Sequence, residues 1–218
     1  MTTFVYALCS TKGGCGKSTL AIHLSVAATC THKVLLVDAD PQGTVSTWGA
    51  TRSSDLPVVV KANPSNIFEI IQAARNEGFT LVVIDCPPHA IAGTAVLISA
   101  ADHVVVPCQP TMPDVAATQQ AVMLVVASGK PFSFAINRAP ARAPEVAQTQ
   151  IALASAGEVS PVVIGDRRAF SRALSDSLAV TEMPHGEKAS LEILSYWNWL
   201  NLHTQQKESA TWQIKAAA

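Results

Sequence analysis

The amino-acid sequence predicts one α/β domain, in which a doubly wound, mostly parallel sheet is covered by helices on both faces. Short runs rich in Val, Ile and Leu alternate along the chain with segments of helical period. These apolar runs are continuous rather than alternating, which is typical of strands buried on both faces of a parallel sheet. Apolar residues make up 49% of the 218 residues, enough for one substantial core.

Strands and helices are predicted in regular order. The strands are Phe4–Cys9, Lys33–Val37, Val58–Val60, Leu81–Ile84, His103–Pro107, Phe132–Ile136 and Val159–Ile164. The helices are Thr19–Thr29, Ser65–Asn76, Thr94–Ala101, Val115–Ser128, Pro144–Ser155, Arg167–Ser177 and Lys188–His203. Within Ser65–Asn76, apolar residues at helical spacing mark one face, and Pro64 precedes the first turn. In the closing helix, the residues expected to pack inward are Leu191, Leu194, Tyr196 and Trp199.

Composition narrows the function classes and the location. The formal net charge is −1, which excludes a globally basic nucleic-acid-binding protein but not a local basic face. No apolar run is long enough to span a bilayer and no secretory signal is present, so we expect a cytoplasmic protein. The five cysteines are odd in number and form no Cys-x-x-Cys pair, which favours buried thiols over disulfides or a zinc site. Residues 1–206 are predicted to form the domain and 207–218 a flexible C-terminal tail.

A glycine-rich stretch between the first predicted strand and the first helix is the clearest functional motif. It reads Ser-Thr-Lys-Gly-Gly-Cys-Gly-Lys-Ser-Thr from Ser10 to Thr19. Glycines allow consecutive backbone N–H groups to curl around a phosphate, and the following helix adds its positive N-terminal end. Lys17 supplies a full positive charge for the β- and γ-phosphates, and Ser18 offers a hydroxyl to Mg²⁺. The predicted binding residues are Lys12, Gly13, Gly14, Cys15, Gly16, Lys17, Ser18 and Thr19.

This loop departs from the standard pattern G-x-x-x-x-G-K-[ST], whose first glycine would fall at Thr11. The stretch that begins at Lys12 instead resembles the deviant Walker A motif, K-G-G-x-x-K-[ST]-T, with its signature lysine. Cys15 stands where a small apolar residue is common in that motif. Its thiol is either reactive, because it lies among phosphate-directed N–H groups, or a buried filler, and we expect the filler.

Carboxylates follow two other predicted strands at the edge where an open α/β sheet holds its ligand. The second strand leads into Val-Asp-Ala-Asp-Pro-Gln-Gly, which contains Asp38 and Asp40, and the fourth into Ile-Asp-Cys-Pro-Pro, which contains Asp85. We interpret Asp85 as the Walker B acid, which holds Mg²⁺ through a water molecule. Each carboxylate alone could belong to an ordinary loop, but together with the glycine-rich loop they mark three strand ends in order, which indicates one site.

Taken together, these motifs resemble the ParA/MinD group of deviant Walker ATPases, and within it the small ParA-like branch. The resemblance extends from Phe4 to roughly Trp199. It implies MgATP as the ligand and a nucleotide-sandwich homodimer. It also implies that Lys12 reaches across the dimer to the ATP of the partner subunit, as an arginine finger does in trans. By the same resemblance, Asp40 orients or activates the attacking water and Asp38 lies beside the Mg²⁺ shell.

Two further positions match the family. Asn137 ends a late strand, and the family places this asparagine near the adenine base, where an amide matches the hydrogen-bonding edge. A strand-end or turn cap is the alternative for Asn137. Asp114 also resembles a family position, and a helix N-cap is an equally good interpretation of it.

A basic segment indicates a DNA-binding surface. Between residues 130 and 172 the chain carries six basic and three acidic side chains, a net of 6 − 3 = +3. The residues predicted to contact DNA are Arg167, Arg168 and Arg172. Binding without sequence preference needs only a basic surface, and the resemblance implies such binding by the ATP dimer. A solvated helix face is the alternative. The resemblance further implies a ParB-like centromere-binding or cargo-adaptor partner, and association with the nucleoid.

Two other functions fit the same fold. A MinD-like membrane ATPase would need a basic amphipathic C-terminal helix, for which the sequence after Trp199 gives weak support, so membrane binding is not expected. The second alternative is a redox or biosynthetic relative, such as a nitrogenase-like iron protein or an ATP-dependent ligase. A bridging cluster would need two exposed cysteines per subunit, and Cys86 and Cys108 fit buried fillers equally well.

Overall fold

The computed structural model describes residues 3–88, 92–185 and 187–216, and gives the backbone alone for residues 92 and 205–216. The strands within these ranges are β1 (Phe4–Leu8), β2 (Val34–Asp38), β3 (Val58–Lys61), β4 (Leu81–Asp85), β5 (His103–Cys108), β6 (Phe132–Ile136) and β7 (Glu158–Val159). The helices are α1 (Lys17–Ala28), α2 (Thr44–Ala50), α3 (Ile67–Asn76), α4 (Ala92–Ala100), α5 (Met112–Ala127), α6 (Glu145–Ala154), α7 (Arg168–Ser175) and α8 (Glu187–Ala216). A 3-10 helix at Val180–Glu182 precedes α8.

The strands form one sheet in the order β3-β2-β4-β1-β5-β6-β7, and all six strand pairs are parallel. The predicted doubly wound α/β class is therefore confirmed. In such a sheet the ligand lies outside the carboxyl ends of the strands, where the chain order reverses. Here the reversal falls at the central strands β4, β1 and β5.

Two apolar cores lie on opposite faces of the sheet, because successive residues of a strand point to opposite sides. Tyr6 and Leu8 of β1 belong to the core that includes residues of α1 and α8. Val5 and Ala7 of the same strand belong to the core that includes residues of α3, α4 and α5. Since β1 is buried on both faces, its sequence shows no polar alternation, as the continuous apolar pattern predicted.

The last strand and one helix differ from the prediction. The apolar run Val159–Ile164 was expected to be a strand, but β7 ends at Val159 and is followed by an isolated bridge, Ala139–Gly165. Pro161 interrupts the run, and a proline has no N–H to continue the ladder. Helix α2 was not predicted; it is seven residues long, and its buried residues are Val45 and Trp48. Two buried residues are too few to give a clear helical period.

Helix α8 closes the first core, and of the residues predicted to face inward, Leu194 and Trp199 are partly buried against it. Tyr196 is fully buried, but Leu191 is 62% exposed, so its predicted inward packing is wrong. Among residues 187–204, whose side chains are described, the other buried apolar residues of α8 are Ala189, Ile193, Trp197 and Leu200. They recur at intervals of three and four residues, which sets the stripe that packs against the sheet. The backbone of α8 continues through Ala216, so residues 207–216 of the predicted tail are helical, while 217–218 lie outside the described residues.

A buried arginine joins α2 to the segment before α8. The Arg52 side chain is only 3% exposed, and its guanidinium donates to both carboxylate oxygens of Glu182, at 2.8 and 2.5 Å. It also donates to the carbonyl oxygens of Leu56 and Ser177 and stacks over the Trp48 ring at 4.8 Å. Such a planar, fully engaged guanidinium fixes several segments at once.

We expect Arg52→Ala to lower the free energy of unfolding by about 2–4 kcal/mol, because it leaves carbonyl groups and a carboxylate without their donor. Urea unfolding followed by circular dichroism measures this loss. Arg75→Ala, at the exposed end of α3, is the matched control and should change stability by less than about 0.5 kcal/mol. Equal effects of the two substitutions would contradict the role given to Arg52.

Candidate functional site

The phosphate loop lies between β1 and α1, at the carboxyl edge of the central strands. Gly14 and Gly16 have left-handed backbones, with φ of +76° and +92°, which residues with a Cβ rarely adopt. At Gly16 a Cβ would also lie 2.4 Å from Nδ2 of Asn137. Helix α1 begins at Lys17, so its first N–H groups lie at the end of the loop, and Lys17 itself lines the adjoining cavity. This is the arrangement that a bound phosphate needs.

Cys15 is 1% exposed, which agrees with its interpretation as a filler of the loop. Thr11, at the position of the missing glycine, is buried, and its hydroxyl donates to the carbonyl of Ala117 in α5 at 2.9 Å. The start of the loop is therefore attached to α5, which the sequence did not predict.

Asp38 and Asp85 are register partners on the neighbouring strands β2 and β4, and Leu8 of β1 pairs with Asp85 on the other side. The phosphate loop and both acids are thus brought to one edge, as predicted. Asp38 accepts hydrogen bonds from the backbone N–H groups of Asp40 (3.2 Å) and Ser46 (2.7 Å), so it fixes the turn that carries Asp40. Asp40 itself is partly exposed beside the loop.

Asp85 is fully buried, and the Ser18 hydroxyl is the hydrogen-bonding neighbour of its carboxylate. Burial raises the pKa of Asp85 to about 7, although the Ser18 hydroxyl and the Lys17 ammonium act in the opposite direction. A buried carboxylate of this kind is stabilised by a cation. Carboxylate and hydroxyl oxygens suit Mg²⁺, which keeps several waters and needs few protein ligands beside a nucleotide. Ser18 and Asp85 therefore fit the predicted Mg²⁺ ligands, with Asp38 adjacent.

Lys12 lies at the rim of the site, and its ammonium donates to the Asp114 carboxylate at 2.6 Å. The lysine side chain is 40% exposed, whereas that of Asp114 is 4% exposed. Thr111 is the N-cap of α5, so the N-cap interpretation of Asp114 is wrong. Asp114 is the third residue of the helix, and its carboxylate accepts hydrogen bonds from the Thr111 hydroxyl and from the Lys12 ammonium. A negative side chain in the first turn also suits the helix dipole.

A cavity of about 760 Å³ extends from the phosphate loop to α7. Its volume is within the range of small-molecule sites. Its lining includes Lys17, Asp40, Asn137, Arg138 and Phe170. The amide of Asn137 donates to the carbonyl of Cys15 at 2.9 Å, so Asn137 supports the loop, and its contact with adenine stays a prediction.

The three predicted DNA-binding arginines differ in their surroundings. Arg167 forms a two-pronged ion pair with Glu192 of α8, at 2.5 Å, which raises the pKa of the guanidinium. This pairing occupies Arg167 and weakens its interpretation as a DNA contact. Arg168 and Arg172 are exposed and four residues apart on α7, so they share one face of that helix.

Four of the five cysteines are buried and Cys30 is exposed. Burial raises the pKa of the Cys9 and Cys108 thiols to about 12 and that of the Cys86 thiol well above its ordinary value. Cys86 and Cys108 are at most 1% exposed, so they do not fit an accessible, cluster-bridging pair. Within the described residues, no group of three or more His, Cys, Asp or Glu side chains has the geometry of a metal site.

The loop, the helix that follows it and the strand-end acids place the chain in the class of P-loop nucleotide-binding proteins. Residues 6–180 match the family described as "CobQ/CobB/MinD/ParA nucleotide binding domain". Because this match covers most of the chain, the protein belongs to that family. The resemblance to ParA and MinD is therefore confirmed.

Two relatives are similar in sequence. "Maintenance of carboxysome distribution protein A" of Gloeobacter kilaueensis is 32% identical over 211 residues, which cover 94% of this chain and 89% of the relative. "Chromosome partitioning protein ParA" of Caulobacter vibrioides is 34% identical over 148 residues, which cover 48% of this chain and 55% of the relative. The first similarity extends over nearly the whole chain, and the second over about half of it.

Solved structures show the same fold. Apo McdA of Cyanothece superimposes with a TM-score of 0.72 at 17% identity, over 90% of this chain and 98% of that one. The cell division ATPase MinD of Pyrococcus furiosus gives 0.75 at 20% identity, over 91% of this chain and all of that one. At these identities the likeness establishes the fold only.

Asp85→Asn is expected to stabilise the nucleotide-free protein at pH 8 while it weakens Mg²⁺-dependent nucleotide binding. The folded state keeps the Asp85 proton up to about pH 7, whereas the unfolded chain releases it near its ordinary pKa of 3.8. The free energy of unfolding of the wild type therefore falls as pH rises from about 4 to 7, and the amide removes this dependence.

Urea unfolding of the nucleotide-free protein at pH 5 and pH 8 measures the effect. The variant should be more stable than the wild type by roughly 2 kcal/mol at pH 8, and by much less at pH 5. A variant that is less stable at both pH values would show that the carboxylate is compensated in the folded protein, against the site described above.

Proposed function

We propose that the chain is a ParA-type positioning ATPase, which binds MgATP, pairs into a sandwich homodimer and hydrolyses ATP when a partner protein stimulates it. Family membership and the names of the relatives support this proposal. Those relatives are named for carboxysome distribution and chromosome partitioning, so the cargo is a protein assembly or a DNA molecule. The adaptor is a ParB-like or cargo-bound protein.

The position of Lys12 is the observation that carries the proposal. Two lysines follow the first strand, and Lys17 is the buried one of the two, with 6% exposure. Lys12 lies at the rim, and its charge is held by Asp114 of its own chain. A facing subunit could reach this ammonium without disturbing the loop. Because two triphosphates would otherwise repel each other across the dimer, a cation at this rim stabilises the pair.

In hydrolysis, Asp85 and Asp40 have different roles. Mg²⁺, when bound beside Asp85 and Ser18, neutralises charge that develops on the phosphates. The backbone N–H of Asp40 donates a hydrogen bond to the Asp38 carboxylate. The Asp40 carboxylate in turn accepts a hydrogen bond from the backbone N–H of Gln42 at 3.0 Å. From this fixed turn at the cavity wall, Asp40 accepts a hydrogen bond from the attacking water and orients it.

DNA binding is assigned to the exposed face of α7 that carries Arg168 and Arg172. Their helix lies against the nucleotide cavity, which Arg168 helps to line. A dimer presents this face twice, so the attraction to phosphates doubles without any base-specific contact. Nucleoid association would follow from this attraction. Within the described residues, no helix has the length and apolar character to cross a bilayer.

The central test combines light scattering with ATP hydrolysis assays. Wild-type protein should be monomeric without nucleotide and dimeric with MgATP, and Asp40→Ala should keep the dimer while its turnover falls. Lys12→Ala should bind ATP but lose ~10³-fold or more in stimulated turnover, because the charge in trans is missing. Lys17→Ala is the control that should lose nucleotide binding itself. Normal turnover by Lys12→Ala would contradict the proposal.

DNA retention by the double variant Arg168→Ala/Arg172→Ala tests the assigned surface. With MgATP present, its affinity for duplex DNA should fall, and the slope of log K against log salt should decrease by roughly two per protomer. The matched control Lys61→Ala/Arg75→Ala removes the same charge from β3 and α3 and should behave as the wild type. ATP-dependent binding to anionic vesicles in place of DNA would favour a MinD-like function instead.

A further inference from the structure

Two consecutive carbonyl groups of the phosphate loop are held by side chains from outside the loop. The Gly14 carbonyl accepts from Nε2 of Gln109 and from Nη1 of Arg138, both at 3.0 Å. The Cys15 carbonyl accepts from Nδ2 of Asn137 at 2.9 Å. The donors come from the segments that follow β5 and β6, so the neighbouring strands support the loop.

These contacts determine where the loop N–H groups point. In a planar, trans peptide, the carbonyl of one residue and the N–H of the next point in opposite directions. The direction of the Gly14 carbonyl therefore determines the direction of the Cys15 N–H. In the same way, the Cys15 carbonyl determines the direction of the Gly16 N–H. When the oxygens are held on the outer side, both N–H groups turn inward to the place a phosphate would occupy.

Arg138 adopts an unfavourable backbone conformation to make its contact. Its φ is +53°, in the left-handed region that costs free energy for any residue with a Cβ. The backbone on its far side is fixed, because Ala139 donates to Ile164 and accepts from Asp166, at 3.0 and 2.8 Å. The guanidinium also lies 3.6 Å from the Asp166 carboxylate. Strain that is maintained in this way is typical of functional positions.

We propose that Arg138 is a positioning residue for the phosphate loop, which it holds in its phosphate-binding curl through the Gly14 carbonyl. Gln109 shares this carbonyl, and Asn137 performs the same task for the next one. The effect is on affinity for the phosphate chain, whatever base the nucleotide carries. This inference rests on the proposed nucleotide site but does not require dimerisation, DNA binding or hydrolysis.

The chain offers a matched control for the backbone strain. Arg142 is also an arginine with a left-handed backbone, at φ +59°, and it is exposed. Arg138→Gly and Arg142→Gly should each relieve similar strain, because glycine adopts this conformation freely. Thermal unfolding without nucleotide should therefore show both variants at or above the wild-type melting temperature. Only Arg138→Gly removes a hydrogen bond from the phosphate loop.

The experiment measures binding of MgATP and MgITP to the wild type and the variants by calorimetry, under conditions where the protein is monomeric. Arg138→Gly should weaken both nucleotides by about tenfold, the usual effect of one lost charge-assisted hydrogen bond. Arg142→Gly should stay within about twofold of the wild type. Arg138→Lys, which keeps a charged donor, should recover part of the lost affinity.

Three results would overturn the inference. Equal affinities of Arg138→Gly and Arg142→Gly would show that the contact to Gly14 does not shape the loop. A loss confined to one nucleotide would make Arg138 a reader of the base. A melting temperature for Arg138→Gly clearly below that of Arg142→Gly would indicate a general structural role. Failure of the wild type to dimerise or hydrolyse ATP would count against the proposed function and leave this comparison valid.

Discussion

The parallel register of β1, β2 and β4 is the constraint on which the site depends. It places Asp38 directly beside Asp85 and brings the end of β1 level with both. The phosphate loop therefore begins where two carboxylates already converge. A shift of one residue in either pairing would turn an acid to the opposite face of the sheet, because side chains alternate along a strand. The apolar cores on both faces prevent such a shift, so packing fixes the positions of the charges.

Around this constraint, the protein fixes the loop from several sides. Thr11 and Lys12 attach its start to α5, while side chains after β5 and β6 hold its carbonyl groups. The two lysines differ as a result. Lys17 is fixed by the start of α1, whereas Lys12 depends on one ion pair at the rim. An ion pair with one partly exposed member is weak enough to be exchanged for another anion.

The motifs predicted most of the fold and that the loop and the strand-end acids meet at one edge of the sheet, because glycines, buried strands and strand-end acids are local signals. The exceptions depend on contacts between distant segments. Asp114 was open to an N-cap role because the sequence cannot show that Thr111 caps α5 or that Lys12 is its partner. Arg167 looked like a free cation because Glu192 lies in another helix. The sequence carried no signal for the role of Arg138 at the phosphate loop. Its left-handed backbone accompanies the bridge between Ala139 and Gly165, two segments far apart in the sequence. Pro161 was a signal, and its effect on the last strand was overlooked.

Cys30 gives this molecule a practical advantage for kinetic work. It follows the end of α1, about three turns of helix from the phosphate loop, and is the exposed thiol among the five cysteines. The other four are enclosed, and burial raises the pKa of three of them, so they react slowly with maleimides. The unmodified sequence therefore accepts a single fluorescent dye at a known place. Energy transfer between labelled copies would follow assembly in real time, without substitution of any residue near the nucleotide.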